Sequence, residues 1–103
     1  MSFGRTITEA RKRANLSQRQ LAARVKKGNG RPISPQYLND FEHGRRIPSS
    51  DYLIEQLAEA LGISEYLLYH HAGQVPRDLR DADDERVVEA WTEFRKTLRR
   101  ERG

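Results

Sequence analysis

Cysteine is absent from the 103 residues. No disulfide framework, thiolate metal site or cysteine nucleophile is therefore available. Long apolar runs are absent too. No stretch has the length needed to span a bilayer, and the opening MSFGRTITEARKR lacks the apolar segment of a secretory signal. A cytoplasmic protein is expected. Aromatic residues are scarce, at 8%, with one Trp. Hydrophobic residues reach 36% against 33% charged, which implies one thin core rather than two independent ones.

Charge is distributed unevenly. Residues 1–50 carry eleven Lys/Arg and three Asp/Glu, whereas residues 51–103 carry eight and twelve. The first half is thus a positive lobe that attracts polyanions, and nucleic acid is the expected partner. An anionic membrane would call for a basic amphipathic helix with bulky apolar anchors, but here the basic residues are scattered over short segments. Catalysis has no support: Ser, His and Asp occur without grouping into a nucleophile–base–orienter set. Gly28-Asn29-Gly30 lacks the following glycine and lysine of a phosphate loop. His70 and His71 are adjacent, so on a helix they diverge, and no third ligand stands at metal spacing. Neither a cofactor nor enzymatic activity is expected.

Helix signals follow one another and no convincing strand intervenes. Thr6-Ile7-Thr8-Glu9 has the form of a capping box. With Ile7, Ala10 and Ala14 at helical spacing, it predicts a helix near 5–14. Ser17-Gln18-Arg19-Gln20 is a second capping box, opening a helix over 18–26 with Leu21, Ala22 and Val25 inward. Glycines and Pro32 then forbid helix. Ser34 caps a third helix with Pro35 at its first position, Leu38 and Phe41 inward, and Gly44 as the left-handed stop. Ser50 and Ser64 cap two more helices, ended by Gly62 and Gly73, with Leu67 and Leu68 inward in the second. Residues 74–82 read as a linker. A last helix runs from Asp83 to about Arg102, acidic at its start and basic at its end, as the macrodipole favours.

The succession Leu21-Ala22, a Ser-capped helix with Leu38 and Phe41, Glu42-His43-Gly44-Arg45-Arg46-Ile47-Pro48, then Leu57-Ala58-Glu59-Ala60-Leu61-Gly62-Ile63 resembles the Cro and phage-repressor family of helix-turn-helix proteins. The likeness covers about residues 5–70. It implies an all-α fold: a five-helix repressor-like helix-turn-helix domain over 1–73, with a linker and long C-terminal helix over 74–103. It also implies that the third helix enters the major groove, a docking mode for which phage repressors are the stock example. Gln18 then matches a phosphate contact, and Gln36 and Asp40 match base-contacting positions. Arg45 and Arg46 match backbone-gripping ones, and Arg11 with Glu42 matches a buried ion pair tying the first helix to the third.

The residue chemistry points the same way. Gln36 presents a donor and an acceptor in one plane, as adenine N6/N7 requires, and Asp40 offers an acceptor for cytosine N4. The alternatives for Asp40 are repulsion of phosphates and pairing with a nearby Arg. Asn39 suits a base or phosphate; Tyr37 suits either packing or DNA contact; Ser34, at the helix start, is expected to contact DNA. Two departures stand out. Pro35 replaces the polar base reader found in many relatives, and the turn between the second and third helices is longer than the usual 3–4 residues. The insert carries Lys26, Lys27 and Arg31, which suit contact with the DNA backbone, and its glycines read as flexible.

In the last helix Val87, Trp91, Phe94 and Leu98 form a heptad-like stripe with Val88 beside it. This stripe suits either packing on its own domain or a homodimer interface, and paired half-sites favour the dimer. The expected function is a sequence-specific, dimeric transcriptional regulator, a repressor, at a palindromic operator. An antitoxin-like DNA-binding protein whose C-terminal helix takes a protein partner is the alternative. A general nucleoid or RNA binder, salt-sensitive without sequence preference, is a third reading.

Overall fold

A computed structural model describes residues 2–100. Six α-helices follow in order: α1 Phe3–Arg13, α2 Gln18–Arg24, α3 Pro35–Glu42, α4 Asp51–Leu61, α5 Glu65–Ala72 and α6 Asp84–Arg100. Local chemistry sets most of the ends. Ser17 accepts from the Gln20 amide while the Gln20 side chain accepts from Ser17 N, closing the capping box. Ser34, Ser50 and Ser64 cap α3, α4 and α5 from one side only, their hydroxyls accepting from the amides of Tyr37, Leu53 and Tyr66. Gly62 and Gly73 terminate α4 and α5 in left-handed conformation.

α1 departs from expectation. It begins at Phe3, with Ser2 as its cap. Thr6 and Thr8 lie inside it, and their hydroxyls donate to the carbonyls of Ser2 and Gly4 rather than capping. The earlier start adds Phe3 to the core, edge-on to Phe41 at 6.5 Å between ring centroids, while Ala14 lies outside it. It also brings Gly4 against the C-terminal end of α3. A Cβ at Gly4 would fall 2.6 Å from the Phe41 carbonyl oxygen, and closer still to that of Glu42. Only glycine permits this approach.

The core is built where α1–α5 meet, with Ile7, Leu21, Leu38, Phe41, Ile54 and Leu57 shielded from solvent. In α5 the inward pair is Leu68 and Tyr69, and Leu67 is exposed. The Tyr69 hydroxyl is pushed up to about 12 by burial, aided by the negative charges of Asp51, Glu55 and Glu65.

Residues 74–82 are tied down rather than loose. Gln74 donates to the Pro48 carbonyl, and the Arg77 amide and Arg80 guanidinium both donate to Asp51 at the start of α4. A short 3-10 turn occupies Arg77–Leu79. α6 then meets α5 through Phe94 beside His70, with ring centroids 6.3 Å apart. Its stripe stays open: Trp91 is 59% exposed, and Val88, Phe94 and Leu98 are exposed as well, with only Val87 half-buried. Arg102 lies outside the described residues.

Candidate nucleic-acid interface

The interface begins with a buried anchor. Arg11 on α1 clamps Glu42 at the end of α3 through two parallel bonds, Nε to Oε2 at 2.7 Å and Nη2 to Oε1 at 3.0 Å. The side chains are 12% and 3% exposed, so the pair is protected from screening. Arg11 also donates to the Leu16 carbonyl, fixing the chain between α1 and α2. Burial opposes the Glu42 charge, but the Arg11 and Gln18 hydrogen bonds outweigh it and hold the carboxyl below its ordinary value. Gln18, at the start of α2, donates to Glu42 and accepts from Asn39 Nδ2. Three helices are thereby locked in register. Of the two amide hydrogens of Gln18, one goes to Glu42 and a second remains for another acceptor.

Beyond the anchor lies the outer face of α3. Gln36 is exposed, and Asn39 and Asp40 are half-buried. Asp40 accepts from Gln36 Nε2 at 3.1 Å and Arg45 Nε at 3.0 Å through one oxygen, and from Arg46 Nε at 3.3 Å through the other. Arg45 also donates to Asn39, and the Arg46 guanidinium lies 5.6 Å from the Tyr37 ring centroid. Tyr37 is half-buried against Phe41, 4.6 Å between centroids, and so packs while keeping one edge outward. His43 stands at the helix end with Nδ1 3.0 Å from the Asn39 carbonyl oxygen.

The insert between α2 and α3 is an ordered hairpin. Lys26 and Pro32 form an antiparallel bridge, Lys27 N donates to the Arg31 carbonyl at 2.7 Å, and Ile33 N donates to the Val25 carbonyl at 2.9 Å. Val25 and Ile33 are buried and pin its base. Asn29 accepts from Arg31 N, and Gly30 turns the chain with φ of 83°. The readable signal was Gly30, which takes the left-handed position after the turn closed by Gly30 N on the Lys27 carbonyl. Neighbouring pairs in a ladder point to opposite faces, which divides the three basic residues. Lys26 reaches back to the Ala23 carbonyl and borders a groove with Gln56 and Glu59 of α4. Lys27 borders a different open groove of about 460 Å³. Ser34 and Ser50, the caps of α3 and α4, line that groove with Tyr37.

A helix-turn-helix family model matches residues 7–68. The chain belongs to the Cro/C1-type helix-turn-helix family. It is 41% identical over 70 residues to an uncharacterized HTH-type transcriptional regulator of Mycobacterium tuberculosis, covering 68% of this chain and 45% of that protein. It is 36% identical over 63 residues to multiprotein-bridging factor 1 of Candida albicans, covering 61% and 37%. The chain therefore spans less than half the length of the curated relatives it matches. No solved structure matches it. Among its described residues no helix is long and apolar enough to cross a membrane. Gly4 is the structural residue of the interface that residue patterns did not reveal, because its reason is a tertiary contact with α3.

Proposed function

We propose that the chain is a sequence-specific, double-stranded DNA-binding regulator that acts as a homodimer, with α3 in the major groove of a palindromic operator, and that represses by occluding the promoter. The observation that carries this reading is the polar outer row of α3, Gln36, Asn39 and Asp40, rigidly mounted on the buried Arg11–Glu42–Gln18 anchor. Gln36 reads a base edge, with Asn39 beside it. Arg45, Arg46 and the second amide hydrogen of Gln18 hold phosphates, which sets register without reading sequence. Ser34 and the first turn of α3 approach the backbone with the positive end of the helix. From the hairpin, Lys27 and Arg31 extend the phosphate contacts, and Lys26 contributes least because it is turned toward α4.

The open stripe of α6 supports a second copy as partner. Its first half carries Asp84, Glu85 and Glu89 against a single base, Arg86, and its second half Arg95, Lys96, Arg99 and Arg100 against a single acid, Glu93. Two copies running antiparallel therefore pair Trp91 and Phe94 centrally with opposite charges at the ends. Residues 1–73 act on DNA in this reading and 74–103 join the copies. Selection of sites from a random duplex library tests it. Enrichment of a palindrome with half-sites about 34 Å apart supports the dimeric reader, and salt-sensitive binding with no enrichment refutes it. A protein partner for α6 is the second reading, favoured by relatives named multiprotein-bridging factors.

A further inference from the structure

Asp40 is an oddity on a face turned toward a polyanion. A carboxylate there repels phosphates, so its presence needs a compensating role. Its side chain is 18% exposed and accepts from three donors on three residues, Gln36, Arg45 and Arg46. Its main-chain carbonyl also accepts from the amides of Arg45 and Arg46, at 2.9 and 3.3 Å. Side chain and backbone together thus fix the turn that follows α3 and the two cations it carries. A carboxylate has about four acceptor positions, and three are taken inside the protein. The strength of the arrangement shows in the Asp40 carboxyl itself, which the Arg45 hydrogen bond, outweighing partial burial and joined by Gln36 and Arg46, holds below its ordinary value.

We infer that Asp40 is a positioning residue that sets specificity without reading a base. It holds Gln36, Arg45 and Arg46 in one arrangement and removes one unit of charge from the cluster that meets the backbone. Binding to arbitrary DNA is weakened by that subtraction, while a matched site, where the prearranged Gln36 finds its base, loses little. The inference rests on the major-groove reading of α3 proposed above. Its electrostatic half can be read on any duplex, so the two fail separately.

The test compares wild type with Asp40→Asn and Asp40→Ala, each checked for helix content by circular dichroism. Affinity for a mixed-sequence duplex is measured by fluorescence anisotropy across a salt series, then for a selected site and its single-base variants. Log affinity against log salt should steepen by up to about 0.9, the value of one further phosphate contact on B-DNA, and affinity for mixed-sequence DNA should rise at low salt. The preference for the selected site should fall at several base pairs together. In an Arg45→Ala/Arg46→Ala background the same Asp40 change should leave the slope as it was. An unchanged slope in the otherwise intact protein overturns the inference. So does a loss confined to one G·C pair with mixed-sequence binding untouched, the signature of direct cytosine readout. A wild type without any site preference, but with the steepened slope on Asp40→Asn, refutes the sequence-specific reading and leaves the charge subtraction standing.

Discussion

Gly4→Ala sets two effects against each other, and their magnitudes decide the outcome. Gly4 is the second residue of α1. Helix propensity alone favours alanine by up to about 1 kcal/mol in a helix interior, and by less in a first turn. Against this, the new methyl would lie 2.6 Å from the Phe41 carbonyl oxygen and nearer that of Glu42. These are backbone atoms at the end of α3, so no rotamer change relieves the contact. Overpacking of this kind costs about 1–3 kcal/mol, and α1 must move away from α3. The same movement pulls Arg11 from Glu42 and Phe3 from Phe41. Net destabilisation of roughly 1–2 kcal/mol should lower Tm by roughly 5–15 °C, at about 4–8 °C per kcal/mol for a domain of this size. Thermal unfolding followed by circular dichroism measures it. A Tm equal to or above that of wild type would refute the close approach of α1 to α3.

Three further outcomes follow from the geometry. The folded-state pKa of Glu42 is held below its ordinary value of 4.5, so the unfolded chain binds more protons over that interval. The anchor's contribution is therefore full above pH about 4.5 and is lost as pH falls through the depressed value. Urea midpoints measured between about pH 5 and pH 3 should fall, and should fall less steeply in Glu42→Gln. In the hairpin, Lys27→Ala/Arg31→Ala should flatten the salt dependence of DNA binding by up to about 1.8 in slope, whereas Lys26→Ala should change it little. Equal effects from Lys26 and Lys27 would contradict the division of the hairpin's two faces. On α6, Trp91→Arg should shift the sedimenting species from dimer to monomer without altering thermal unfolding of the α1–α5 body, because Trp91 is 59% exposed in the single chain.

What was legible in the sequence was what local chemistry decides. Ser17 with Gln20, Ser34 with Pro35, and the glycines at 62 and 73 settle their helix ends within a few residues of themselves, so they read correctly without a fold. The start of α1 did not. Thr6-Ile7-Thr8-Glu9 fits a capping box on local chemistry alone, and the helix instead starts after Ser2 because Phe3 and Gly4 are buried against α3. The same logic separates Leu67 from Tyr69. Both suit an amphipathic helix, and only the seating of α5 against α1 and α4 buries the tyrosine. The insert shows a middle case. Its glycines and proline exclude helix, but its order comes from Val25 and Ile33 entering the core on either side of Asn29-Gly30. For the outer face of α3, the i,i+4 spacing of Gln36 and Asp40 was visible. The convergence of Arg45 and Arg46 on Asp40 depends on the chain doubling back after Gly44, at φ of 74°.

The central claim is that α3 reads base edges in the major groove. Anisotropy titration of wild type and Gln36→Ala against a selected site and each of its single-base variants tests it most directly. The account predicts a cost of about 1–3 kcal/mol for Gln36→Ala at the selected site, with wild type and variant differing in preference at one base pair. A uniform loss over all sites, or no loss at any, would contradict it.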